Sequence, residues 1–370
     1  MNILIAGDFC PQHRVAELFE REDYASVLND VQNVVKEVDY SIVNLECPVT
    51  KGGESPITKW GPGLHCSEKS LEALKWVGFE CVTLANNHFL DFKEGGVENT
   101  LTACKKYGFD TVGGGKNLRE ASKILYKEID GDTLAIINCC EHEFSIATET
   151  TSGSNPLNPI QQYYAIQEAR KNADYVLVIV HGGHEYFQLP SPRMQETYRF
   201  FIDAGADAVV NHHQHCFSGY EMYKESPIFY GLGNFCFDFG GCVNKKWNEG
   251  YMVLFHTGAV KSFEIIPYNQ CSEQARVRLL NKSAFVEELE RLNAVIGDPL
   301  KLKDAVEHYY ASCTSYHSEI FEPSNNRYYL ACRQRGWLPS FISLNRRLRA
   351  TNSICCESQL DILKYYFSQS

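Results

Sequence analysis

Eight short apolar runs punctuate the first 270 residues: NILIAG, SIVNLE, CVTLAN, LAIINC, YVLVIVHG, DAVVNH, PIFYGLGN and YMVLFHT. Runs that are continuous rather than alternating mark strands covered on both faces, because a half-exposed strand alternates apolar with polar. Between them, Val27, Val31, Val34 and Val38 step at helical spacing. So do Leu71, Leu74 and Val77, closed by Gly78, and Val97, Leu101 and Cys104, closed by Gly108; glycine ends helices because it tolerates the left-handed conformation. Strand and helix in alternation restrict the chain to the α/β class with a layered, largely parallel sheet.

The runs share a second property: nearly every one ends in a side chain able to bind metal or carry a proton. Asp8 follows the first run and Glu46 closes the second. Asn87, His88 and Asp91 follow CVTLA; His181, His184 and Glu185 follow YVLVIV; His212, His213 and His215 follow DAVVN; Asn234 follows IFYGLG. In an open α/β sheet ligands bind outside the carboxyl ends of the strands, so these groups converge on one rim. In HHQH, His213 and His215 leave the same face of an extended segment and His212 the opposite one, which gives His212 a supporting role.

Imidazole nitrogens, carboxylates and an amide oxygen form a mixed shell suited to Zn, Mn or Fe, and less strongly to Mg. Asp8, Glu46, Asn87, His181, His213 and His215 are more ligands than one tetrahedral ion uses, which favours two ions over one. Paired ions about 4 Å apart suit metal-assisted hydrolysis. His88, Asp91 and Glu185 are the acid/base candidates, and Asn234, His184 and Glu221 the candidates for lining the substrate.

A net charge of -11 argues against a phosphate-tracking surface for nucleic acid. The start MNILIAGDF has no basic segment followed by an apolar one, and no stretch approaches 18 apolar residues, so a cytoplasmic protein without membrane insertion is expected. The fifteen cysteines are scattered and lack a CxxC pair, which reads as reduced, buried thiols. Residues 143 to 165, rich in Ser, Thr, Asn and Pro, are expected to form a long loop that walls the substrate. Beyond residue 280 the pattern turns helical. SAFVEELERLNAVIG offers Ser283 as N-cap and Gly297 as stop, and DAVEHYYASC and QLDILKYYF continue without an assignable motif.

The succession GDF, VNLECPVT, LANNHFLD, VIVHGGHEY, GADAVVNHHQH and YGLGNFCFD resembles the bacterial capsule-synthesis and poly-γ-glutamate-synthesis family over about residues 1 to 257. That family's fold is similar to the calcineurin-like metallophosphoesterases. The resemblance implies an α/β/β/α core over residues 1–270 with a helical C-terminal appendage over 271–370. It places Asp8 at the first phosphoesterase motif, Glu46 at the bridging carboxylate, Asn87, His181, His213 and His215 at ligand positions, and His88 at the histidine assisting the leaving group. Glu185 and Asn234 match further motif positions that line the site.

Departures are visible too. The first motif of the phosphoesterases, Asp-x-His, is here Asp8-Phe9-Cys10, leaving Cys10 or His13 to stand in. Gly182 replaces a tryptophan after His181, which is expected to open the pocket, and Asn211 and Gln214 replace a glycine and a proline. The expected function is a metal-dependent hydrolase of a phosphoester, or of an amide or ester in a capsule-type polymer or precursor, with one or two divalent transition ions. The alternative is a binding or assembly protein of polymer synthesis that keeps the metal site without turnover and docks a protein partner through its C-terminal helices.

Overall fold

The structure, a computed structural model, describes residues 1–241, 243–258, 261–321, 328, 332, 335, 337 and 343–368. Most of the expected appendage between 322 and 342 therefore lies outside the described residues.

One sheet is built from β1 (Asn2–Phe9), β2 (Tyr40–Leu45), β3 (Cys81–Thr83) and β4 (Asp110–Val112), all parallel. A short two-stranded pair joins β5 (Gly114–Gly115) to residues 153–154. A second sheet starts from the hairpin of β6 (Leu125–Ile129) and β7 (Asp132–Cys140), followed after β8 (Gly153–Ser154) by β9 (Tyr175–His181) and β10 (Ala208–His212). The chain continues through β11 (Tyr220–Tyr223), β12 (Ser226–Phe229), β13 (Asn234–Cys236), β14 (Glu249–His256), β15 (Ser262–Gln270) and β16 (Val277–Leu279). The first sheet runs β16-β15-β14-β1-β2-β3-β4 with β13 also on β1, and the second runs β11-β12-β10-β9-β7-β6. The first is parallel from β1 out to β4 and antiparallel through β14, β15 and β16, and the second has a parallel centre with antiparallel margins, so the sheets are mixed.

Side-chain alternation on β1 explains the layering. Ile3 and Ile5 join one core cluster with Leu134, Ile136, Leu177 and Val209 of the other sheet. Leu4 and Ala6 join a different cluster with Val27, Val31, Leu71 and Leu74 from helices. Two sheets face each other and helices cover their outer faces, the α/β/β/α arrangement. Fully burying one such aliphatic side chain stabilises by roughly 1.5–3 kcal/mol, so the continuous runs hold the layers together.

Local expectations were met at Gly78 and Gly108, which close Glu68–Val77 and Lys93–Tyr107 with φ of 119° and 70°. Two were not. The segment 143–165 is not loop throughout, because Asn158 accepts from the amides of Ile160 and Gln161 and starts a helix at Pro159–Asn172. Ser283 is not the cap of Lys282–Ile296; Asn281 is, accepting from the Ser283 amide at 3.1 Å. The C-terminal helices Pro299–Phe321, Leu344–Cys355 and Glu357–Ser368 follow. Leu289, Leu302, Val306 and Ile362 belong to the core cluster of the second sheet, so this region packs on the body. No helix among the described residues is long and apolar enough to cross a membrane.

Candidate metal centre and pocket

The parallel strands of both sheets end at one rim, and there the expected ligands meet. Two groups have the spacing to hold a cation: Glu46, His181 and His213, and Asp8, Glu46 and His215, each with ligand atoms within 4.8 Å of one another. Glu46 is common to both. Asn87 joins the first, its Oδ1 lying 3.1 Å from His181 Nε2, with His213 Nδ1 at 3.1 Å from the same nitrogen. Electron-pair donors converge there.

Asp8 reaches the rim because β1 bulges between Ala6 and Asp8. A bulge re-aims the side chain that follows it. Gly7 is required: a Cβ there would stand 1.9 Å from the Gly233 carbonyl oxygen, which accepts the Asp8 amide. Asn44, next to the carboxyl end of β2, donates to Asp8 Oδ1 at 2.7 Å and is itself held by Thr83. A buried asparagine inside an apolar run was the signal for this orienting residue, and it went unread.

The HHQH turn reaches the expected end by another route. The strand stops at His212, and His213 and His215 have φ of 91° and 54°. The pair is thus presented by a left-handed turn, a strained geometry for non-glycine residues that concentrates at functional sites, and not by strand alternation. His215 Nδ1 lies 3.0 Å from Asn234 Oδ1, which leaves Nε2 to face Glu46 Oε1 at 3.5 Å. Partners of this kind fix the tautomer of a ligating histidine. His212 is buried with Nδ1 3.4 Å from Asp8 Oδ1. Neither Cys10 nor His13 belongs to either cation-sized group. Cys10 is buried near Cys47, its thiol pushed up by burial, and exposed His13 meets Phe239 edge-on.

Electrostatics argue for a cation. Both oxygens of Glu46 are buried without a hydrogen-bond partner, and an orphaned buried carboxylate is costly. Burial, then Asp8, Cys10 and Glu185, push the Glu46 carboxyl well above its ordinary range against the opposing effect of Lys59. Burial and the neighbouring His213, His212 and His215 hold His181 well below the usual imidazole range, as a neutral donor. These residues fit divalent transition ions: shared carboxylate oxygens and neutral nitrogens are the donor set such ions prefer.

Beside the centre, His88 Nδ1 lies 2.7 Å from Asp91 Oδ2. Asp91 is fully buried and also ion-paired to Lys59, whose Nζ is 3.0 Å from His88 Nδ1. Burial and then Lys59 lower the His88 pKa, with Asp91 opposing. Lys59 was missed by the sequence reading; it sits in the loop KGGESPITKWGPG, whose glycines and prolines announce a turn and nothing more.

A cavity of about 460 Å³ opens over Asn87 and His88. Glu143, Phe144 and exposed Glu185 line it, so the first part of the 143–165 segment is a wall as expected. The rest of the substrate set is placed differently. Asn234 is fully buried and grips His215, also donating to its carbonyl at 3.1 Å. His184 is fully buried among Phe187, Tyr309 and Tyr310. Glu221 is committed to Arg199 at 2.6 Å and to the Tyr230 hydroxyl at 2.6 Å. None of these three lines the cavity. Gly182 does not open it either: a Cβ there would meet Glu141 Cγ at 2.6 Å, so the glycine makes room for that carboxylate. Asn211 donates to the Gly182 carbonyl at 2.8 Å and Gln214 to that of Phe187 at 2.9 Å, tying neighbouring loops together.

The remaining wall comes from the C-terminal helices, through Tyr309, Arg349, Asn352 and Gln359 among others. Two charged clusters clamp it. Arg193 bridges Glu141 at 2.7 Å and Asp361 at 2.8 Å, and Glu357 takes both the amide and Nδ1 of His142, at 2.8 and 2.6 Å.

The bacterial capsule synthesis protein PGA_cap family matches residues 2–239. The chain is 32% identical over 279 residues to the capsule biosynthesis protein CapA of Bacillus anthracis, covering 73% of this chain and 67% of that protein. It is 32% identical over 272 residues to the PGA biosynthesis protein CapA of Bacillus subtilis (strain 168), covering 72% and 71% respectively. Among solved structures, a putative 5'-nucleotidase from Staphylococcus aureus in complex with alpha-ketoglutarate is similar with a TM-score of 0.43 and 11% identity, over 80% of this chain and 58% of that one. The matched span holds every residue of the two cation-sized groups, together with Asn87 and His88. On the extent of that match, the chain belongs to the bacterial capsule synthesis protein PGA_cap family.

Proposed function

We propose that the chain is a metal-dependent hydrolase acting in capsule or polyglutamate metabolism, on a phosphoester or on an amide or ester bond of a polymer or its precursor. The observation that carries this reading is Glu46, a buried carboxylate with no hydrogen-bond partner, shared by two groups of cation-ligand spacing. Asp8, Glu46, Asn87, His181, His213 and His215 would hold the ions. When bound, such ions supply Lewis-acid polarisation and acidify water.

The chain's own residues do the rest. Asp91 accepts Nδ1–H of His88 and so fixes the tautomer that leaves Nε2 to accept a proton and hand it to the leaving group. Lys59 pairs with Asp91, and burial and then the Lys59 charge lower the His88 pKa, which favours the neutral imidazole. Phe144, Trp60 and Tyr309 give the cavity beside His88 an aromatic wall.

The test loads purified protein with Mn or Zn, measures bound metal, and assays bis(p-nitrophenyl) phosphate and γ-glutamyl-p-nitroanilide. Turnover is expected to fall about 10²–10⁴-fold in His88→Ala while metal content stays unchanged. Metal content below about a tenth of an equivalent after loading sinks the reading. Full metal content with no turnover of either substrate favours a binding or assembly role.

A further inference from the structure

We infer that this site takes the end of a chain or a small molecule and excludes the interior of a polymer, and that the C-terminal helices impose the choice. The inference rests on the hydrolase reading and narrows it: a polymer is shortened from one end and not cut at an internal bond.

The reacting groups are recessed: the six candidate ligands and His88 are each at most 7% exposed. An internal bond reaches such a depth only if the chain on both of its sides enters as well, which needs a groove open at two ends. A terminal group brings in one strand of chain. The space over His88 is about 460 Å³, toward the lower end of the range that holds a single small ligand. Lys59, Glu143 and Phe144 of the body and Tyr309, Ser312 and Ile362 of the helices all line it. The helices Pro299–Phe321 and Glu357–Ser368 thus turn an open rim into a walled cavity. That wall is fixed in place. The Tyr309 ring stacks on Phe187 with centroids 4.2 Å apart, and Tyr310 packs edge-on to buried His184 at 5.3 Å. Asp361 and Glu357 pair with Arg193 and His142 of the body. Leu302, Val306 and Ile362 are buried in the core of the second sheet, so swinging the helices aside exposes apolar surface. The helices also lie beyond the family-matched span 2–239.

The test asks what can reach the centre, without relying on turnover. Full-length protein is loaded with Co(II), and its visible spectrum is followed while hydroxamates, which chelate metal through two oxygens, are added. The probes are N-methylacetohydroxamic acid, a hydroxamate with one polyethylene glycol chain on its carbonyl carbon or on its nitrogen, and a hydroxamate with a chain on both. Affinity of each probe for free Co(II) is the reference. The small and one-chain probes are expected to shift the spectrum, and the two-chain probe to bind at least about tenfold more weakly, because both chains cannot leave the cavity together. Ser312→Trp fills the cavity from an exposed position and is expected to weaken the one-chain probes about tenfold at unchanged cobalt content. Tyr309→Ala removes a ring from the wall and is expected to narrow the gap between one-chain and two-chain probes. Binding of the two-chain probe within about twofold of the one-chain probes overturns the inference, as does the absence of a shift with every probe. Unchanged one-chain binding in Ser312→Trp overturns the cavity as the route, and an unchanged gap in Tyr309→Ala overturns the part given to the helices. Failure to bind cobalt strikes the metal-dependent reading and the inference with it. Cobalt bound and chains discriminated, with no turnover of any substrate, strikes the hydrolase reading alone.

Discussion

The metal centre and the helical wall over it are built from opposite kinds of sequence. Every cation-binding candidate stands at or just beyond the end of an apolar strand, where the sheet dictates its position. On the wall, Arg349 and Asn352 sit on the helix Leu344–Cys355, and the next helix, Glu357–Ser368, is ion-paired to the body through Glu357 and Asp361 and packed there by Ile362. The centre keeps a buried carboxyl without a hydrogen-bond partner, whereas the wall pairs its buried charges: Glu46 is orphaned, and Glu141, only 3% exposed, is answered by Arg193. A site that binds a cation must leave its charge uncompensated in the protein, and a structural clamp must not.

That difference is broken most directly at Glu46. Glu46→Gln is expected to lower metal-dependent turnover by at least about 10³-fold, or about 4 kcal/mol, since it removes the carboxylate common to both groups. The same substitution relieves the repulsion with Asp8, so melting of the metal-free protein is expected to rise by about 2–4 °C. A melting point lowered by the substitution would mean that Glu46 has a structural partner.

At the clamp the opposite sign is expected. Arg193→Met strands Glu141 and Asp361 and is expected to cost about 3–5 kcal/mol, the usual result of removing one partner of a buried pair. Burial raises the Glu141 carboxyl, but Arg193 and Ser358 outweigh it and hold it below its ordinary range. Adding Glu141→Gln to Arg193→Met should therefore recover part of the loss. Chemical denaturation of the single and double variants measures this, and equal stability of the two would deny the pairing.

The two regions also differ in what could be read beforehand. Strand runs fixed the positions of Asp8, Glu46, His181 and the histidine pair, because a parallel sheet brings strand ends together whatever the loops do. The turn geometry of His213 and His215 was not legible, since positive φ at histidine has no composition signal. Asn234 and His184 were expected to line the substrate, and the fold turns Asn234 onto His215 and His184 into an aromatic cluster, because a strand end gives position and not direction. For the wall, the sequence pattern of SAFVEELERLNAVIG and QLDILKYYF announced helices, while nothing in it shows which polar side chain meets a cavity made by a distant loop, as Arg349 does over Trp60.

The smallest expected effect lies at the second clamp. The hydrogen bond that His142 donates to Glu357, helped by the charges of Glu357 and Glu141 and opposed by burial, raises the His142 pKa above its ordinary value. A raised histidine pKa means that the folded state holds the proton more tightly. The pair's contribution is then complete below the ordinary imidazole value of about 6.5 and is lost as pH rises through the raised one. Because the His142 side chain is 39% exposed, solvent screens the pair, and under about 1 kcal/mol is at stake. Hydrogen exchange of residues 344–368, corrected for intrinsic rates, should show protection falling from pH 5.5 to pH 9 in wild type and staying level in His142→Gln. If protection instead rises with pH in wild type, the proton on His142 loosens the clamp, and Arg193 is the ion-pair clamp that holds the helical wall.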